Sequence, residues 1–193
     1  MRLDPIERPD NLIMRVAYRI VERKFGKVVT PLKVIYARKP LFLMVFALID
    51  LLLNKSVTLP ASFRLLFQIY VSMLNGCSFC QDARQALAVQ RRIGIEKFQA
   101  LKEYRVSPLF DERERAALAF AEEFSTNKYV SDKIFAELTK QFTEREIVEL
   151  VWMNAAENYF NALAVPLGIK MDGLRALAEE RAITIDKRPH QEV

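Results

Sequence analysis

Two cysteines, Cys77 and Cys80, stand three apart in the run Asn75-Gly76-Cys77-Ser78-Phe79-Cys80-Gln81-Asp82-Ala83-Arg84, and the chain has no others. Two thiols at that spacing can form and break a disulfide when they share one helical turn, because residues three apart project from the same face. The chemistry runs through a thiolate, and a free thiol, with a pKa of about 8.5, needs its surroundings to help it ionise. Asn75-Gly76 marks the end of one helix and the start of another. Both sulfurs are therefore expected in a first turn, where unpaired N–H groups and the positive end of the helix dipole favour an anion. Arg84 follows Cys80 by four residues on the same face. Its guanidinium can stabilise a Cys80 thiolate but cannot serve as a base. On these grounds Cys80 is expected to attack and Cys77 to resolve.

Three plainer readings compete. Both cysteines can be small buried apolar residues. A zinc site needs four ligands, and besides the two cysteines the chain offers one remote histidine, His190. A static disulfide would close a very short loop, with little gain in stability.

The elements that position the pair read as helices. Ile13, Val16, Ala17 and Ile20 step at three and four, the mark of an amphipathic helix. Leu41 to Leu53 is apolar almost all round, which predicts a buried helix. A long helix is expected from Leu59-Pro60 to Leu74, closed by Asn75-Gly76, where glycine takes the left-handed cap. The cysteines then open a helix to about Arg92, and Gly94 ends it. A short helix over Ile95–Tyr104 follows. Next comes one with acids in its first turn at Asp111-Glu112-Arg113-Glu114. Ser131 caps another, and Thr143 with Glu146 forms a capping box that opens a long helix to Ala164. A last helix is expected from about Asp172 to Arg181. Val28-Val29 and Ile183-Thr184-Ile185 are too short to build a sheet. The fold class is all-α in one domain.

Composition narrows the function. The 193 residues are 51% hydrophobic and 27% charged with a formal net charge of +5, which suits a soluble globular domain. Basic residues gather in the N-terminal third at Arg15, Arg19, Arg23, Lys24, Lys27, Lys33, Arg38 and Lys39. No nucleic-acid motif accompanies them, so a solvated face is expected rather than a nucleic-acid surface. The start shows no signal-peptide pattern, and Leu41–Leu53 is too short to cross a bilayer, which takes about 20 residues. A cytoplasmic protein is expected, in a compartment where a Cys-x-x-Cys pair serves catalysis or metal binding more often than stapling.

Cys77-Ser78-Phe79-Cys80-Gln81-Asp82-Ala83, entered through Asn75-Gly76, resembles the redox motif of the alkyl hydroperoxidase D-like (AhpD-like), or carboxymuconolactone decarboxylase, family. Arg113–Ala121, Phe142–Leu150, Asn158-Tyr159-Phe160-Asn161 and Leu167-Gly168-Ile169 resemble its later blocks. The likeness covers residues 59–169, which would make 59–169 an AhpD-like core and 1–58 an N-terminal helical extension without family motifs. It implies an all-α single-domain AhpD-like helical fold and homo-oligomers. It also implies peroxidase or thiol-disulfide oxidoreductase activity of the peroxiredoxin-like kind. Peroxide oxidises one cysteine, the other resolves it as a disulfide, and an external thiol reductant restores the pair, with no metal or organic cofactor.

Two positions depart from that family. Its catalytic histidine falls four residues after the second cysteine, where Arg84 stands, and its glutamate twelve residues before the first, where Leu65 stands after Arg64. Both members of the proton relay are missing. Asp82 is misplaced for a simple swap. Glu157, Asn158, Tyr159 and Asn161 are candidates to line the pocket, though a surface acid and packing amides are the plainer reading. The expectation is a Cys-x-x-Cys oxidoreductase or alkyl hydroperoxide-type peroxidase with an altered relay, acting through Cys77, Cys80 and Arg84. The alternative is a decayed scaffold serving as a binding or regulatory protein. Decarboxylation of a lactone acid, with Arg64 and Arg84 on its carboxylate, is weaker because the one histidine lies in the tail.

Overall fold

Local signals set the helix ends. The structure, a computed structural model, describes residues 1–186, and among them there is no strand. Helix α1 (Leu12–Phe25) begins where the Asn11 side chain accepts from the N–H groups of Ile13 and Met14, and ends at Gly26 with φ 88°. A short π turn (Leu32–Tyr36) leads to α2 (Pro40–Lys55). Pro60 precedes α3 (Ala61–Leu74), and Cys77 is the N-cap of α4 (Ser78–Gln90). The expected 95–104 helix is α5 (Glu96–Gln99) followed by a 3-10 turn over Leu101–Glu103.

Capping boxes open α6 (Glu112–Asn127), through Asp111 and Glu114, and α8 (Glu144–Ala164), through Thr143 and Glu146. Caps of this kind contribute about 1 kcal/mol each. Between them α7 (Asp132–Gln141) starts on Ser131, and α9 (Leu174–Asp186) closes the described chain.

Helix α3 is the spine. Nine of its residues, from Phe63 to Ser72, are buried, and it packs against α4, α6 and α8. Phe67 stacks on Phe120, which stacks on Phe124. Burying a side chain such as Phe67 stabilises the fold by roughly 1.5–3 kcal/mol. Helix α9 lies along α4. The buried Asp82 carboxylate accepts from the N–H groups of Asp172, Leu174 and Arg175, at 2.9, 2.9 and 3.0 Å, and so caps α9. Asp172 in turn accepts from the Thr30 N–H and hydroxyl. The N-terminal segment is thereby tied to the C-terminal one.

Two expectations are corrected. Helix α2 is not buried. Leu41 is 69% and Met44 68% exposed, and Phe42, Val45, Leu48 and Leu51 are exposed too. Only its inner edge, including Phe46 and Leu53, is covered, because α2 lies on the outside of the bundle with no element above it among the described residues. In α1 the buried side is Met14 and Tyr18, while Ile13, Val16 and Ile20 face out. The Tyr18 hydroxyl donates to the Ile6 carbonyl at 2.6 Å, which makes its burial affordable in hydrogen-bond terms and selects that face.

Candidate functional site

The turn between α3 and α4 carries the dithiol. Gly76 takes φ 68°, a left-handed geometry that suits glycine. Cys77 N–H donates to the Ser72 carbonyl at 2.9 Å, so the first cysteine closes off the end of α3 as it opens α4. Cys77 and Cys80 are joined in a disulfide. The expected meeting of the two sulfurs across one turn is found.

The sulfurs are not equivalent. The Cys80 N–H donates to Cys77 Sγ at 3.3 Å, so the helix N-terminus supports charge on Cys77. Cys80 is the more accessible, at 6% exposure against 1%. Both sit in an apolar cluster with Met14, Leu32, Ile35 and Tyr36. Part of the wall of the site thus comes from residues 1–58, where the sequence shows no family motif, and part from Ala164 and Ile169. Burial, with the nearby Tyr159 adding to it, pushes the Tyr36 hydroxyl well above its usual range, so it stays protonated.

Arg84 is drawn to an acid that sequence reasoning left as a surface group. Its Nε and Nη2 donate to Glu157 Oε2 at 3.2 and 2.9 Å, and Glu157 is fully buried. The other carboxylate oxygen accepts from the Ser72 hydroxyl at 2.7 Å and from the Asn161 amide at 3.2 Å. The Asn75 amide, two residues before Cys77, donates to Asn161 Oδ1 and Asn158 Oδ1, at 2.9 and 3.1 Å.

One connected polar cluster therefore braces the dithiol from both sides. It holds Asn75 ahead of Cys77 and Arg84 one turn, about 6 Å of rise, beyond Cys80. Within it Arg84, at the position where the family resemblance implies a histidine, pairs with a carboxylate supplied by α8. The position of Glu157 held a clue: it falls on the stripe Leu150, Met153, Glu157, Asn161, Ala164, whose members are all buried, and a charge on a core-facing stripe needs a partner.

The remaining candidates separate. Leu65 is buried one face-turn along α3 and offers no proton. Asp82 caps α9 and does not join the cluster. Tyr159 rests edge-on against Phe160, over whose ring the Arg84 guanidinium lies at 5.6 Å. His190 lies outside the described residues. Among the described residues no group of three His, Cys, Asp or Glu side chains could hold a metal, and no helix is long and apolar enough to cross a membrane.

A helical bundle with a Cys-x-x-Cys disulfide at a helix start defines the class of protein. Residues 41–123 match the model of the Carboxymuconolactone decarboxylase family, and the fold is the all-α AhpD-like one. The match begins inside α2, so part of the expected extension lies within the family segment. The chain is 28% identical over 184 residues to the uncharacterised protein YnjA of Escherichia coli K12, covering 94% of this chain and all of the other.

An uncharacterised peroxidase-related protein from Silicibacter sp. TM1040 superposes with a TM-score of 0.75 at 25% identity, over 87% of this chain and 90% of that one. The debrominase Bmp8 superposes with a TM-score of 0.73 at 21% identity, over 91% and 95%, a likeness of fold.

Proposed function

We propose that the protein is a Cys-x-x-Cys-dependent thiol-disulfide oxidoreductase that also reduces organic hydroperoxides slowly. The observation that carries this reading is the asymmetric disulfide: Cys80 is the less deeply buried residue, and Cys77 Sγ rests on the α4 N-terminus. An external thiolate attacks the Cys80 sulfur, and Cys77 departs as a thiolate that the Cys80 N–H receives; a better-stabilised thiolate leaves faster. A second external thiol then attacks the mixed disulfide and frees Cys80, giving an external disulfide and the reduced pair.

In the oxidising direction the Cys80 thiolate attacks the terminal oxygen of ROOH. The O–O bond breaks, the departing alkoxide takes a proton from water as ROH, and Cys80 becomes a sulfenic acid. The Cys77 thiolate attacks that sulfur, hydroxide leaves, and the disulfide returns. Arg84 cannot deliver the proton and Leu65 has none to give, which is why the peroxide step is slow. The apolar wall of Met14, Leu32 and Ile35 suits an organic hydroperoxide better than a small polar one.

The test uses the reduced full-length chain. Treatment with an organic hydroperoxide is expected to consume both thiols and form one disulfide per chain, and alkylation rates against pH are expected to place one thiol below the free value of about 8.5. Two thiols that survive peroxide and titrate at the free value would sink this reading in favour of a binding scaffold.

The reading includes assembly. The exposed apolar row Leu41, Met44, Val45, Leu48 on α2 supports a homo-oligomer, since a patch of this kind is normally covered. Sedimentation is expected to show more than one chain per particle, and Leu48→Glu to shift it to the monomer. A wild-type monomer at all concentrations would remove this element.

A further inference from the structure

Helix α1 has two apolar faces, and the described chain covers only one of them. Met14 and Tyr18 point inward, to the cluster that holds both cysteines. On the other side Leu12, Ile13, Val16 and Ile20 are 73%, 68%, 47% and 59% exposed. At 3.6 residues per turn these four span roughly 100° of the helix surface, one continuous arc. A single exposed leucine needs no explanation, whereas a contiguous apolar patch marks an interaction surface.

The charge beside the arc says what meets it. Arg15, Arg19 and Arg23 follow one another at i, i+4 along its edge, all exposed. Like charges at this spacing weaken a helix, so the row calls for an anion from outside. Arg15 donates to the Pro9 carbonyl, a neutral oxygen, and no described residue pairs with the guanidinium of Arg19 or Arg23. Lys24 stands at the opposite edge, its Nζ 5.2 Å from the centre of the Phe25 ring. Arg181 of α9 adds a cation at the C-terminal end, donating to the Arg23 and Lys24 carbonyls at 3.5 and 3.4 Å. The one acid of α1, Glu22, projects from the flank away from the arc and forms no ion pair among the described residues.

We propose that the outer face of α1 docks on an anionic lipid bilayer, with Leu12, Ile13, Val16 and Ile20 at the acyl boundary and Arg19, Arg23 and Lys24 on the lipid phosphates. The helix lies flat in the interface, since its 14 residues fall short of the roughly 20 that cross a bilayer. A nucleic acid would answer the arginines and leave the apolar arc in water. A second copy of this face would cover the arc and bring two like-charged rows together. Anions above an apolar layer answer both. The dithiol cluster then lies on the far side of a helix about 10 Å across. Docking does not depend on what the dithiol reduces, so its failure and the failure of the redox reading are separate results.

The experiment is co-sedimentation of the full-length chain with vesicles of phosphatidylcholine alone and of equal parts phosphatidylcholine and phosphatidylglycerol, over a range of salt. Binding to the anionic vesicles is expected to be at least about tenfold tighter, and to weaken as salt rises. Arg19→Gln together with Arg23→Gln is expected to weaken it about tenfold or more and to flatten the salt dependence, each cation near the surface contributing about fivefold. Ile20→Ser is expected to weaken it about tenfold and to keep the salt dependence. All three side chains are exposed, so these variants leave the core intact. Equal binding to both vesicles, or unchanged binding in either variant, would overturn the proposal. So would loss of binding in Leu48→Glu with none in Ile20→Ser, which places the face on α2. Duplex DNA held equally by wild type and Ile20→Ser, with no vesicle binding, would assign the arginines to nucleic acid instead. An oligomer that Ile20→Ser dissociates without vesicles, again with no vesicle binding, would assign the arc to a second copy.

Discussion

Replacing Cys80 by serine is expected to abolish both disulfide exchange and hydroperoxide consumption, a loss of at least about 10³-fold for removal of a nucleophile. Replacing Cys77 is expected to behave differently. The Cys77→Ser chain retains the Cys80 sulfur, so it should take up one equivalent of hydroperoxide, form a sulfenic acid, and with a single equivalent of thiol donor stop at the mixed disulfide, since no neighbouring thiol closes the ring and no second donor thiol frees Cys80. The asymmetry follows from exposure and from the Cys80 N–H placed on Cys77 Sγ. Peroxide consumption under excess donor and intact-mass spectrometry of the trapped species check both variants. If the mixed disulfide accumulates on Cys80→Ser instead, the roles of the two cysteines are reversed. If both variants turn over, the chemistry lies elsewhere.

What was legible in the sequence is what depends on neighbours along the chain. The Thr143–Glu146 box, the Asp111 cap, the Asn75-Gly76 turn and the cysteines in a first helical turn each involve groups within a few residues of one another, and local hydrogen bonds choose them whatever the tertiary context. The Arg84–Glu157 pair is a different kind of fact. Its members are 73 residues apart, and only the packing of α8 across α3 and α4 brings them together.

Burial of α2 was misjudged for a related reason. An all-apolar helix states that its surface needs cover, and does not state whether the cover comes from its own chain or from another. In α1 the sequence holds apolar residues on two sides, Ile13, Val16 and Ile20 against Met14, Tyr18 and Val21. The choice between them rests on Tyr18 reaching the Ile6 carbonyl, a contact outside the helix. The wall that residues 1–58 give the dithiol was invisible because it is built of ordinary apolar side chains such as Met14, Leu32 and Ile35, which carry no signature of a site.

Glu157 carries the other large effect, and its two obvious variants should part company. Glu157→Ala removes the acceptor of four hydrogen bonds from Arg84, Ser72 and Asn161 and leaves the guanidinium in an apolar setting with no counter-charge. Breaking a buried pair from one side typically costs about 3–5 kcal/mol. Arg84 is 13% exposed and can turn part way to solvent, so the low end, about 3 kcal/mol, is expected in urea denaturation of the oxidised chain.

Glu157→Gln keeps the shape and, with its oxygen turned to Ser72 and Asn161, those contacts; its NH2 then meets Arg84, so the negative charge and the two hydrogen bonds from Arg84 are removed together. The pair of Arg84 and Glu157 is neutral as it stands; without the carboxylate, one net positive charge faces the dithiol. A cation favours the thiolate over the thiol, so the lower thiol pKa should fall in Glu157→Gln, and the alkylation rate at neutral pH should rise. Arg84→Met leaves the negative charge in place and should move the same pKa upward and slow the reaction. A purely structural cluster would change stability in all three variants and leave the titration where it was. Opposite shifts in Glu157→Gln and Arg84→Met, read from alkylation against pH, would establish that the buried carboxylate holds the arginine's charge back from the sulfurs; shifts of the same sign would show that it does not.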